Sequence, residues 1–157
     1  MSKVTVAKSA GFCFGVDRAV KMVYGELEKG TRVATLGPII HNQDVVDDMT
    51  AKGARIISSV DELEEGETVV IRSHGVDREV YRQIEAKGNR MLDATCPFVR
   101  RIHKIVEENT RDGSPVVIVG DKNHPEVAGI ESYAHGKAVV CSDEAECAAF
   151  MRKECHI

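Results

Sequence analysis

The chain has no tryptophan, three tyrosines and four phenylalanines among 157 residues. So few aromatics leave no stacking platform for single-stranded nucleic acid. It has no block of lysine and arginine, and its formal net charge is −4. The electrostatic footprint of a nucleic-acid partner is therefore missing. No apolar run approaches the roughly 20 residues that a membrane-spanning helix needs. The opening stretch, MSKVTVAKSAG, is too polar and too short for a secretory segment. The expectation is a cytoplasmic protein. No two cysteines stand at CxxC or CxxxC spacing, which argues against a zinc finger or a thioredoxin-type site.

What is present describes a folded protein. Hydrophobic residues make up 43% and charged residues 29%, the balance of a globular chain rather than a disordered one. The length suits one ordinary domain or two small ones. The five cysteines are odd in number and scattered, so in a reducing compartment they read as thiols or metal ligands, not disulfides.

Strand and helix patterns alternate along the chain. Residues 4–8 read as a short strand. Val16, Ala19, Val20, Val23 and Leu27 then recur at helical spacing, and Gly30 ends that helix. Residues 32–36 form the next strand, and Asn42 caps a helix carrying Val45, Val46 and Met49. Residues 54–57 read as a strand, 60–64 as a helical turn and 68–72 as an apolar strand. Asp77 caps a helix with Val80, Tyr81 and Ile84, closed by Gly88. Residues 90–92 are extended, and Pro97 opens a helix with Val99, Ile102 and Val106. Strands at 115–119 and 137–140 bracket a helix opened by Pro125, and a last helix spans 143–152. The pattern predicts an α/β protein of repeated units, with short, mostly parallel sheets flanked by helices. Two similar units meet near Cys96–Pro97, which predicts a first unit over 1–96 and a second, incomplete one over 97–157.

The unusual residues cluster in five loops, each read as following a strand and preceding a helix: SAGFCFGV (9–16), LGPIIHNQDVV (36–46), IRSHGV (71–76), DATCPFV (93–99) and GDKNHPEV (120–127). In a parallel sheet such loops share one crevice, where ligands bind. Cys13 lies between glycines and Cys96 precedes a proline, both at predicted helix starts. Helix N-termini favour thiolate, and two thiolates suit a soft metal or an iron–sulfur cluster. The competing reading is two small buried hydrophobes. His41, His74 and His124 occupy equivalent loop positions, where imidazoles and helix N-termini make a pocket for a diphosphate. A solvated or capping histidine is the alternative at each. Glu126 can pass protons to a departing hydroxyl, or it is an ordinary first-turn glutamate. Ser73, Thr95 and Asn42 read as caps or supporting donors. His103, on a helix face, and His135, in a polar turn, read as structural.

Taken together, GFCFGV, GPIIHN, RSHGV, DATCP and GDKNHPEV, in this order, resemble the first half of the family of 4-hydroxy-3-methylbut-2-enyl diphosphate reductases, also called LytB. The resemblance implies an enzyme of three similar α/β units around a four-iron four-sulfur (4Fe-4S) cluster held by three cysteines. Cys13 and Cys96 match two of them, and the third cysteine ligand belongs to the family's second half. His41, His74 and His124 match the residues that hold the diphosphate, and Glu126 matches the proton source. The implied reaction is reductive dehydroxylation in the non-mevalonate isoprenoid pathway. An allylic diphosphate takes two electrons and two protons and gives isopentenyl and dimethylallyl diphosphates, with ferredoxin or flavodoxin as the electron donor. Cys141, Cys147 and Cys155 fall outside the family's motifs and read as structural. An anion-binding fragment without activity and a thiolate zinc hydrolase built from the same loops are the competing functions.

Overall fold

The computed structural model describes residues 3–154. Six helices and six strands alternate: α1 (Phe14–Glu28), β1 (Val33–Leu36), α2 (Gln43–Ala51), β2 (Arg55–Ile57), β3 (Thr68–Ile71), α3 (Arg78–Lys87), β4 (Arg90–Asp93), α4 (Pro97–Thr110), β5 (Val116–Val119), α5 (Pro125–Ser132), β6 (Ala138–Cys141) and α6 (Glu144–Glu154). A 3-10 turn, Val60–Glu62, precedes β3. Four strands form one parallel sheet in the order β2-β1-β3-β4, and β5 and β6 form a second parallel pair.

Alternation along the strands sorts the core onto two faces. Val33 and Val70 pack with Ala19 and Val23 of α1 and Met49 of α2. Ala34, Leu36, Val69 and Ile71 point the other way, against Ile84 of α3 and Val60 of the 3-10 turn. Every residue of β1 and β3 is buried, as expected for central strands covered on both sides. Helix ends follow the anticipated chemistry. Asn42 accepts from the Val45 N–H and Asp77 from that of Glu79. Gly88 closes α3 in the left-handed region at φ 74°, where a side chain is disfavoured. The second sheet has a smaller core of Val106, Ile130 and Ala134 with Val116 and Ile118. Val117 and Val119, on the opposite side of β5, are exposed.

One expected element is absent. Residues 4–8 form no strand, and Val4 and Val6 are exposed. Apolar alternation makes a strand only where a sheet edge supplies the ladder. This segment pairs with neither edge of the four-stranded sheet. The loop of Cys13 is therefore not a strand-end loop, and Cys13 is placed by the start of α1 instead.

Two buried carboxylates brace the sheet edges opposite the loops. Glu67 ion-pairs with Arg55 and accepts from the Glu64 N–H. Glu26 of α1 is 4% exposed and pairs with Arg90 of β4 and with Lys29. Hydrogen bonds from Arg90, then Lys29, hold its carboxyl at about 2 against an ordinary 4.5. A depressed carboxylate stabilises the fold above its unfolded value and loses that effect as pH falls toward the folded one. Glu26→Gln is expected to be less stable than the parent at pH 7. It should also lose less stability on acidification between pH 4.5 and about 2. Urea unfolding at a series of pH values measures this, and superimposable curves would remove Glu26 from the account.

Candidate functional site

The loops after β1, β3 and β4 are joined by the sheet ladder continuing past the strand ends. The Ser73 N–H donates to the Ile39 carbonyl at 3.3 Å, and its hydroxyl donates to the same oxygen at 3.3 Å. The Cys96 N–H donates to the Ser73 carbonyl at 2.9 Å, and the Ala94 N–H to that of Ile71 at 3.1 Å. Ser73, the residue before His74, thus ties the segment leading to His41 to Cys96. This is a larger part than the supporting donor expected of it.

The three histidines converge. Ring centroids lie 4.6 Å apart for His41 and His74, 6.0 Å for His74 and His124, and 6.3 Å for His41 and His124. His124 caps α5, its Nδ1 accepting from the Glu126 N–H at 3.2 Å. An accepting Nδ1 puts the proton of the neutral ring on Nε2. Glu126 is held within two residues of the cluster, half-buried in the first turn of α5. The His74 pKa is pushed down to about 4, first by burial and then by His41, Arg72 and His124. The His74 ring is thereby held neutral at pH 7.

Arg72 is a site residue that the motif reading passed over. Its guanidinium crosses Gly37, where a Cβ would stand 2.9 Å from one of its nitrogens. Gly37 has φ 71°, so a side chain there is both strained and obstructed. Burial lowers the Arg72 pKa, and its Nε donates to the Gly75 carbonyl at 3.4 Å. A half-buried guanidinium near His74 adds fixed positive charge. Only the fold shows this, because an arginine at a strand end is ordinary in a sequence.

Cys13 and Cys96 are the N-cap residues of α1 and α4, and neither thiol makes a capping hydrogen bond. Their loops abut. A Cβ at Gly15 would lie 2.6 Å from the Cys96 Sγ and 3.1 Å from its Cβ. Arg18 of α1 donates to the carbonyls of Asp93 and Thr95, clamping the Cys96 loop to the helix that Cys13 starts. Asp93 accepts from the Thr95 N–H and pairs with Arg100. The two thiols suit two corners of an iron–sulfur cluster: soft donors at adjoining helix N-termini, with a glycine cradle between them. No third group of the kind needed stands with them among the described residues. Cys141 is buried at the end of β6 with Cys147 beside it, and Cys155 lies outside the described residues. His135 occupies an exposed turn at φ 49°. His103 is buried in α4.

The Gly15 contact generates an expectation. Gly15→Ala forces the Cys96 side chain or α1 to shift, at a cost of about 1–3 kcal/mol. The alkylation rate of Cys96 should change with it. Urea melts and peptide mass spectrometry after brief alkylation measure the two effects, and parental behaviour in both would deny the close approach.

The LytB protein family profile matches residues 4–157. A 4-hydroxy-3-methylbut-2-enyl diphosphate reductase of Caldanaerobacter subterraneus subsp. tengcongensis is 45% identical over 161 residues, covering 99% of this chain and 56% of that protein. One from Thermoanaerobacter sp. is 44% identical over 142 residues, covering 88% and 49%. A solved (E)-4-hydroxy-3-methyl-but-2-enyl diphosphate reductase superposes with a TM-score of 0.81 at 42% identity, covering 97% of this chain and 55% of that one. A second solved structure, the E-1-hydroxy-2-methyl-but-2-enyl-4-diphosphate reductase from Plasmodium falciparum, gives 0.85 at 25% identity, covering 90% and 45%. The chain spans about half the length of the curated relatives it matches. With a family match over nearly its whole length and relatives at these identities, the chain belongs to the LytB family.

Proposed function

We propose that this chain supplies the diphosphate-binding histidines, a proton donor and two cluster ligands of a 4-hydroxy-3-methylbut-2-enyl diphosphate reductase of the non-mevalonate pathway. The triangle of His41, His74 and His124 carries this reading. The Arg72 guanidinium and three imidazoles offer a diphosphate positive charge and N–H donors, and each of these would be attracted to its oxygens. His124 offers its Nε2–H because Nδ1 is engaged by the backbone. The exposed start of α5 adds its own N–H groups.

Cys13 and Cys96 would hold one side of a 4Fe-4S cluster, with the remaining ligation coming from family length that this chain does not span. When bound, the cluster supplies the electrons and a Lewis-acidic iron for the departing allylic hydroxyl. Glu126 delivers the proton that lets the hydroxyl leave as water. Ferredoxin or flavodoxin is the matching electron donor, and a reducing cytoplasm the matching compartment for free thiols. The division into units at 1–96 and 97–157 belongs to the same reading. A second reading, an anion-binding module without redox chemistry, draws on the two-thiol donor set.

The deciding experiment has two arms. Calorimetry with inorganic diphosphate should show binding to the parent chain and about tenfold weaker binding to His74→Ala, with little change in melting temperature. No binding to the parent would end the diphosphate reading. Anaerobic reconstitution with iron and sulfide should leave Cys96→Ser with less iron than the parent, and equal iron would remove Cys96 as a ligand. Diphosphate binding with no iron uptake by the parent favours the binding module.

A further inference from the structure

His103 has no part in the chemistry above, yet its placement is unusual. It is 3% exposed in the middle of α4, and its Nε2 is the one buried side-chain nitrogen or oxygen among the described residues that has no hydrogen-bond partner. An unpaired polar atom in a core is costly, and an apolar side chain of similar size would avoid that cost. Burial holds the imidazole pKa below its ordinary value, with Asp93 opposing and Arg100 adding to the lowering. The ring is therefore neutral at pH 7 and has a single N–H to donate.

Its surroundings say where that donor points. One face of the ring stacks on Tyr133, with centroids 4.3 Å apart and planes 14° from parallel. A Cβ at Gly75 would stand 3.0 Å from Cε1. A Cβ at Gly129 would stand 3.7 Å from Nε2 and 3.8 Å from the carbonyl oxygen of His74. Gly75 directly follows His74, and Gly129 lies on the helix that His124 caps. The Nε2 edge thus reaches the junction between the loop bearing His74 and the helix bearing His124 and Glu126. Two glycines leave room for it there.

We propose that His103 is a positioning residue for the histidine cluster, its Nε2–H donating to the carbonyl oxygen of His74 and so fixing the 73–75 loop against α5. Nε2 has no partner in the structure, so the two segments must approach one another for this bond to close. His103 acts through the main chain of His74 and touches no ligand. The proposal rests on the reading that this cluster holds a diphosphate, and its test separates the two.

Nitrogen-15 NMR of the unaltered chain gives the first readout. His103 should show a protonated Nε2 whose hydrogen exchanges slowly, and an unprotonated Nε2 would overturn the proposal even if no variant folds. The second readout uses His103→Gln, whose amide nitrogen falls near Nε2, and His103→Asn, whose amide falls near Nδ1. Without any ligand, His74 should keep its low titration midpoint in the Gln variant. In the Asn variant the loosened loop hydrates and the midpoint should rise by about one unit. A merely structural residue would disturb both variants alike, so equal shifts, or none, would overturn the proposal. With inorganic diphosphate, the Asn variant should bind about tenfold more weakly than the parent and the Gln variant within about twofold. If the unaltered chain binds no diphosphate, the functional reading falls, and the first two readouts still decide the role of His103.

Discussion

The architecture of the site depends on a parallel ladder that does not stop where the strands stop. Ser73 takes the Ile39 carbonyl on one side and gives its own carbonyl to Cys96 on the other. Parallel strands all point the same way, so the loops that follow them emerge at one edge. Two further hydrogen-bonded steps beyond β3 keep those loops in register after the regular strand geometry has ended. His41, His74 and Cys96 come from segments far apart in sequence, and backbone bonds, helped by the Ser73 hydroxyl and the Arg18 side chain, bring them together. Backbone bonds of this kind tolerate many side chains, which frees the side chains at this edge for chemistry.

Around that edge the protein gathers a half-buried guanidinium and a group of imidazoles. Elsewhere buried carboxylates are paired: Glu26 with Arg90 and Lys29, and Glu67 with Arg55. At the loop edge Arg72 is half-buried and three imidazoles face one another. Burial first, and then His41, Arg72 and His124, push the His74 pKa down, so a positive charge on that ring is unfavourable. Fixed donors arranged before a ligand arrives need little reorganisation when it does. The glycines serve the same end. Gly15 admits the Cys96 sulfur, Gly37 admits Arg72, and Gly75 and Gly129 admit His103.

The second sheet is a different case. Its core is three buried residues with a few partners, and Val117 and Val119 face away from it into solvent. It nevertheless carries His124 and Glu126, and His124 meets the first sheet's histidines at the start of α5. The site is thus shared between a well-covered sheet and a thinly covered one, and α4, which follows Cys96 and bears His103, joins them.

The sequence by itself determined the order of elements, because apolar periodicity, caps at Asn42 and Asp77 and the stop at Gly88 are local signals. It also determined which loops hold cysteine, histidine and glutamate, and the motifs that tie them to the LytB family. It misled at residues 4–8, where alternation was present but the segment pairs with neither edge of the sheet. Only the tertiary structure decided that three imidazoles lie within 6.3 Å of one another, that Ser73 bridges the loops, and that Arg72 lies near His74. The reason is physical: local signals fix what each segment becomes. Distances between segments depend on the register and packing of elements dozens of residues apart, which no window of sequence contains.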